Sequence, residues 1–289
     1  MEHLYTVHSK EIVLNSIADE ITLYCFGDIH RFTPSCDEDR WKWFLSCAKR
    51  DITPFTYFLG LGDYMDMASG REQKIFNRGE LHEQTVQDLG ELIQKRNRIM
   101  AMEMSFMKPN ILGLIEGNHG WRFANGKTGT DDLAERLMTE SLGFLCHYTL
   151  KIKFANRGGD TRYNIHIIAC HGRAGGKTEG ASINQVDDLR RIFPVADIYI
   201  FGHDHQRWAK PTDVLVPTSN NKGVVSIKQK RQFLSRSGSF KKAYTPGTSS
   251  YEVGRLLKPA DLGALQYKIS FHRDLKNGDI LTADIKAII

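Results

Sequence analysis

Five short stretches of this chain close an apolar run with residues that bind metals. They are Gly27-Asp28-Ile29-His30, Gly62-Asp63-Tyr64-Met65-Asp66, Gly117-Asn118-His119-Gly120, Cys170-His171-Gly172 and Gly202-His203-Asp204-His205. Carboxylate and amide oxygens combined with imidazole nitrogens suit Mn, Fe, Zn and similar ions. Each stretch alone reads as an ordinary polar turn, since Gly-Asp and Asn after a strand are common turn chemistry. Their recurrence at successive strand ends points to one site, because ligands in open α/β sheets gather outside the carboxyl ends of the strands.

The elements that must position these residues follow from hydrophobic periodicity. Ile21–Phe26, Phe55–Leu61, Ile111–Ile115 and Asp197–Phe201 are apolar runs of strand length, the pattern of buried parallel strands. Tyr148–Phe154 and Tyr163–Ala169 alternate apolar and polar residues around Asn156-Arg157-Gly158-Gly159-Asp160, which predicts an antiparallel hairpin. Helical spacing predicts a helix over Asp37–Arg50, with Trp41, Phe44, Leu45 and Ala48 facing the core. A second helix is expected over Glu80–Met107, with a stripe of Val86, Leu89, Ile93, Met100, Met104 and Met107. Pro109 stops it. A third is expected over Asp131–Leu142, capped by Thr130 or Asp131. Ser182 with Gln185 resembles a capping box opening a fourth, to Phe193. Residues 67–80 read as a loop able to cover the site, and Tyr267–Phe271 as a closing strand. Residues 3–19 carry no clear signal.

The 289 residues are 41% hydrophobic and 25% charged, values of a soluble globular chain. The net charge of +5 fits an anionic substrate without requiring one. No apolar run approaches the roughly 20 residues of a membrane span. The N-terminus lacks the basic and apolar regions of a signal peptide. The five cysteines, at 25, 36, 47, 146 and 170, show no CxxC pair, so reduced thiols and a cytoplasmic location are expected. Lys222–Lys242 holds seven basic residues, no acid, and Phe233 and Phe240. As a β-ribbon it could touch nucleic acid; the bland alternative is a solvated strand face.

Taken together, the five motifs resemble the calcineurin-like metallophosphoesterases, whose pattern is D-x-H, G-D-x-x-[DN], G-N-H-[DE], H and G-H-x-H. The resemblance covers residues 21 to about 210. The tail Gly238-Ser239-Phe240…Ser249-Ser250-Tyr251 is similar to that of phage and bacterial phosphoesterases of this family. The resemblance implies an α/β fold, a four-layer αββα sandwich of two mixed β-sheets flanked by helices. It implies a single domain over 1–289, with a motif-bearing core at about 21–210 and a β-rich segment 211–289 completing the second sheet. It also implies two divalent ions, Mn²⁺ foremost, with Fe, Zn, Ni and Mg as alternatives. Asp28, His30, Asp63 and His205 would hold one. Asp63, Asn118, His171 and His203 would hold the other, so Asp63 bridges. A hydroxide held between the ions would attack phosphorus. His119 would face the leaving group as a proton donor, oriented by Asp66.

The chain departs from the pattern at Gly120, where an acid is usual, and at Met67, where the protein Ser/Thr phosphatases carry an arginine. Arg31, Arg122, Arg173 and Lys177 adjoin the motifs and are candidates to replace that phosphate clamp. A phosphate-ester substrate is expected, with phosphodiesters, including nucleic acid, ahead of phosphomonoesters. No DNA-capping domain of the kind carried by the nucleases of this family is recognisable. The rival of another class is a non-catalytic scaffold with the same fold.

Overall fold

The computed structural model describes residues 4–66, 82–155, 162–173, 178–219, 225–246, 253–254, 256–274 and 280–289. The expected loop 67–80, the turn 156–160, Lys177 and the segment 249–251 lie outside them. In chain order the strands are β1 (Tyr5–Leu14), β2 (Ile21–Phe26), β3 (Thr56–Gly60), β4 (Ile111–Leu114), β5 (Leu145–Phe154) and β6 (Arg162–Cys170). They continue with β7 (Ile198–Phe201), β8 (Arg207–Ser219), β9 (Val225–Ser237), β10 (Leu265–Asp274) and β11 (Ile280–Ile288). The helices are α1 (Glu38–Arg50), α2 (Glu83–Glu103), α3 (Gly129–Leu137) and α4 (Glu179–Ile192).

Two mixed sheets result, one ordered β11-β10-β2-β3-β4 and the other β1-β5-β6-β7-β9-β8. β2, β3 and β4 run parallel in the first, and β6, β7 and β9 in the second. Period-two alternation sends successive side chains of a strand to opposite faces of its sheet. Ile21, Leu23 and Cys25 of β2 and Leu59 of β3 meet Leu150 and Ile152 of β5 and Ile165 and Ile167 of β6 in one core between the sheets. The opposite face of the first sheet, with Phe26 and Phe58, packs on Trp41 and Phe44 of α1, Met100 of α2 and Leu133 of α3. The outer face of the second, with Ile168, Tyr199 and Leu234, packs on Val186 and Leu189 of α4. The layers are therefore helix, sheet, sheet, helix: the α/β αββα sandwich.

Several boundaries differ from expectation. Thr128 caps α3 in a capping box with Asp131, two to three residues earlier than predicted. Thr178 caps α4, so Ser182 lies inside the helix, where its hydroxyl donates to Asp204. α2 ends at Glu103, and a 3₁₀ turn, Ser105–Asn110, accommodates Pro109. β1 exposes every second residue and is placed by parallel pairing with β5, a long-range contact invisible in local pattern. β8 carries Pro211 and Pro217 but lies at a sheet edge, where a missing N–H is tolerated. The C-terminal segment is divided: β8 and β9 extend the six-stranded sheet, β10 and β11 the five-stranded one. Among the described residues no helix is long and apolar enough to cross a membrane.

Candidate metal centre

The five motif turns follow the carboxyl ends of β2, β3, β4, β6 and β7, and the parallel strands bring them to one edge of the sandwich. Their backbones are stitched together beyond the strands. Asp28 N donates to Gly62 O (3.0 Å), and Ile29 N and His30 N both donate to Asp63 O (2.9 and 3.0 Å). Asp28, His30 and Asp63 have φ of 48°, and His203 and His205 have φ of 73° and 59°. Non-glycine residues in this left-handed region cost about 1–3 kcal/mol each and persist where surrounding structure over-determines them. Gly117 admits the closest approach: a Cβ there would lie 2.0 Å from Asp63 Oδ1.

The side chains form two clusters. In one, His30 Nε2 lies 3.3 Å from His205 Nε2, and His205 Nε2 lies 3.6 Å from Asp28 Oδ1. In the other, Asn118 Oδ1 lies 2.8 Å from His171 Nε2 and 2.9 Å from His203 Nδ1. Asp63 Oδ2 stands between them, 3.2 Å from His171 Nε2 and 3.9 Å from His30 Nε2. Its other oxygen, Oδ1, accepts from His119 N at 2.9 Å. Asp28 Oδ2 accepts from His203 N at 2.8 Å, whereas Oδ1 is buried with no hydrogen-bond partner. A buried carboxylate oxygen left over, facing convergent imidazole nitrogens, is the donor set of a divalent cation. The residues present therefore fit metal ions, and Asp28, His30 and His205, like Asp63, His171 and His203, are grouped closely enough to ligate.

Electrostatics prepare the same groups. Burial holds His30, His203 and His205 below the ordinary imidazole value, His203 at about 3, which favours the neutral form that ligates a metal. Burial likewise pushes Asp28 up to about 7. Burial alone would raise Asp63, but the neighbouring imidazoles, His171 foremost through its charge and hydrogen bond, outweigh it and hold the carboxyl well below its usual range. Burial opposes the charge on His171, yet Asp63 and Asp28 lift it to about 9. His171 Nδ1 donates to Leu61 O at 2.7 Å, fixing the tautomer that turns Nε2 toward the cluster.

His119 Nδ1 meets Asp66 Oδ1 at 2.7 Å, which leaves its Nε2 for other work. Burial lowers its pKa, but the Asp66 hydrogen bond and the Asp63 charge prevail, and the net shift is upward. Asp66 also approaches His30 Nδ1, at 3.3 Å, so one carboxylate orients two imidazoles. The expected clamp residues are not gathered in the same way. Arg31 is buried and committed: its guanidinium holds Glu38 at 2.6 Å and Glu103 at 2.8 Å, and Trp41 Nε1 braces Glu103 at 2.9 Å. Arg122 is exposed and donates to Gly126 O at 2.9 Å, and Arg173 is exposed. In the basic stretch, Phe233 and Phe240 are core residues, with Phe240 edge-on to Trp41, so neither offers a stacking face. Lys230 and Arg231 pair with Asp197 and Asp213. Two residues of that stretch bear on the cluster instead, Lys241 from a half-buried position and Arg236 from the core. The Lys241 ammonium opposes protonation of His30, His119 and His205. Arg236 lies behind the His203–His205 turn. Neither adjoins a motif in sequence.

No protein-family model matches the sequence, and no curated protein matches it. Solved structures align along most of its length. A double mutant of Vps29 from Entamoeba histolytica is 12% identical, with 93% of this chain and 100% of that one covered, at a TM-score of 0.35. A predicted phosphoesterase from Streptococcus pneumoniae is 10% identical, with 92% and 89% covered, at 0.34. GAP50 of Plasmodium is 10% identical, with 92% and 88% covered, at 0.38. Likeness this distant says nothing of activity. The two mixed sheets are helix-flanked, and the order of the motifs at their strand ends is the one that resembles the calcineurin-like metallophosphoesterases.

Proposed function

We propose that this chain is a dinuclear metal-dependent phosphoesterase acting on phosphodiesters, as a nuclease or nucleotide phosphodiesterase. The observation that carries the reading is Asp63 Oδ2, shared between two clusters of buried and half-buried histidines. Asp28, His30, Asp63 and His205 would hold one ion, and Asp63, Asn118, His171 and His203 the other. Mn²⁺ is the first choice, and Fe, Zn, Ni and Mg suit the same donors. Such ions supply an activated water near neutral pH and neutralise charge on phosphate oxygens. The rest falls to the chain's own groups. His119, protonated and held through Nδ1 by Asp66, presents Nε2–H to the leaving oxygen. Among the described residues, Arg31 is already paired with Glu38 and Glu103 and Lys241 adds positive charge near His30, His119 and His205, which suits the monoanion of a diester better than the dianion of a monoester. Free thiols at all five cysteines fit a reducing, cytoplasmic setting.

Metal loading should release protons. His171 must lose the proton it holds up to about pH 9, so apparent affinity should rise about tenfold per pH unit from pH 7 to 9. Calorimetry in buffers of different ionisation enthalpy reads this; a pH-independent affinity would remove His171 from the ligands. The activity test compares bis-p-nitrophenyl phosphate with p-nitrophenyl phosphate, with Mn²⁺ and after chelation. Faster, chelator-sensitive diester hydrolysis is expected. Faster monoester hydrolysis would make the chain a phosphatase, and two bound metals with no turnover would make it a scaffold.

A further inference from the structure

Arg236, one residue from the end of β9, is fully buried. A buried guanidinium is costly unless it is paired and its donors are used. Nη1 donates to Gly202 O at 2.7 Å, and Nη2 to Gln185 Oε1 at 2.8 Å and Ser182 O at 3.4 Å. Nε stands 3.1 Å from Asp204 Oδ2, an ion pair whose angle does not make a hydrogen bond. The guanidinium also covers the Phe201 ring at 5.1 Å. Ser182 of α4 donates to the same Asp204 oxygen, and Asp204 Oδ1 accepts from Gln206 N at 3.2 Å. Gly202 and Asp204, the residues flanking His203, are thus gripped from β9 and α4 together. Between and beside them, His203 and His205 keep left-handed backbone angles. Released, such residues would relax to the commoner negative φ and swing their imidazoles away.

We propose that Arg236 is a positioning residue for the 202–205 turn and, through it, for both metal sites. His203 belongs to one ligand set and His205 to the other, so a single clamp sets one ligand of each. The inference rests on the dinuclear reading above. Without the clamp, bound metal must also bear the cost of re-forming the strained turn, and affinity falls at both sites at once.

The test is Mn²⁺ titration of the whole chain by calorimetry, with the visible spectrum of the Co²⁺-loaded protein as a second readout. Arg236→Met is expected to weaken both sites by about 10–100-fold, the range for residues that orient ligands. Arg236→Lys keeps the charge but cannot span Gly202, Asp204 and Gln185 together, so its loss should be smaller. Ser235→Ala is the control: it removes the Tyr199 and Tyr267 contacts of the neighbouring β9 residue without touching the turn. It should lower the melting temperature and leave affinity unchanged. Equal affinity losses in Ser235→Ala and Arg236→Met would reduce Arg236 to a general structural role and overturn the proposal. So would wild-type affinity in a folded Arg236→Met. If that variant does not fold, Arg236→Lys decides alone, and unchanged affinity there overturns it. Failure of the wild-type chain to bind two ions would instead sink the dinuclear reading.

Discussion

Asp63→Ala is expected to empty both metal sites and reduce hydrolysis to background. The carboxylate is buried and works on three sides. Oδ2 faces His171 at 3.2 Å and His30 at 3.9 Å, and Oδ1 holds the His119 backbone at 2.9 Å. No neighbour can substitute: Asp28 belongs to the His205 side, and Asp66 is spent on His119 and His30. The affinity loss should exceed the roughly 100-fold ceiling for residues that only orient ligands. The substitution also strips His171 of the charge that raises its pKa. A buried ion pair broken on one side costs about 3–5 kcal/mol, so the folded state must be confirmed before metal content is read. A folded Asp63→Ala protein that still binds two ions would disprove the bridging role.

The second large effect is expected from His119→Asn. It should leave two metals bound and slow turnover by roughly 10²–10⁴-fold, the usual weight of a general acid. The loss should be greatest on a poor leaving group and small on p-nitrophenolate, which needs little protonation. The pH profile separates this role from simple misplacement. His119 carries a raised pKa and acts protonated, so its contribution is present at low pH and lost as pH rises through that value. The alkaline fall in kcat should therefore vanish in His119→Asn. In Asp66→Asn, which removes the hydrogen bond that raises the pKa, the fall should move to lower pH. Equal slowing on good and poor leaving groups would falsify the proton-donor role.

Much of this was legible in the chain because it is local. Trp41, Phe44 and Ala48 recur at helical spacing and line the buried face of α1. Met100 and Met107 fill the core, as their stripe implies. Helix starts were harder, since capping depends on which hydroxyl the backbone turns inward. Thr128 and Thr178 do this, whereas Ser182 turns to Asp204. The basic stretch left two readings open for a related reason: charge and aromatic content do not say which side chains are buried, and Phe233, Phe240 and Arg236 all point in.

By itself, the sequence determined the identity and order of the candidate metal ligands, because each motif is a few residues at the end of a strand whose apolar run is visible. Only the tertiary structure decided how they are shared. Asp63 lies between two clusters because turns from different sheets meet at one edge. Arg31, which reads as a phosphate clamp beside His30, is instead neutralised by Glu103, 72 residues further on. The turn holding His203 and His205 keeps its shape through Arg236, a residue that reads as surface charge. Contacts between distant segments carry no local pattern, and burial alone converts a basic residue from a binding group into a strut.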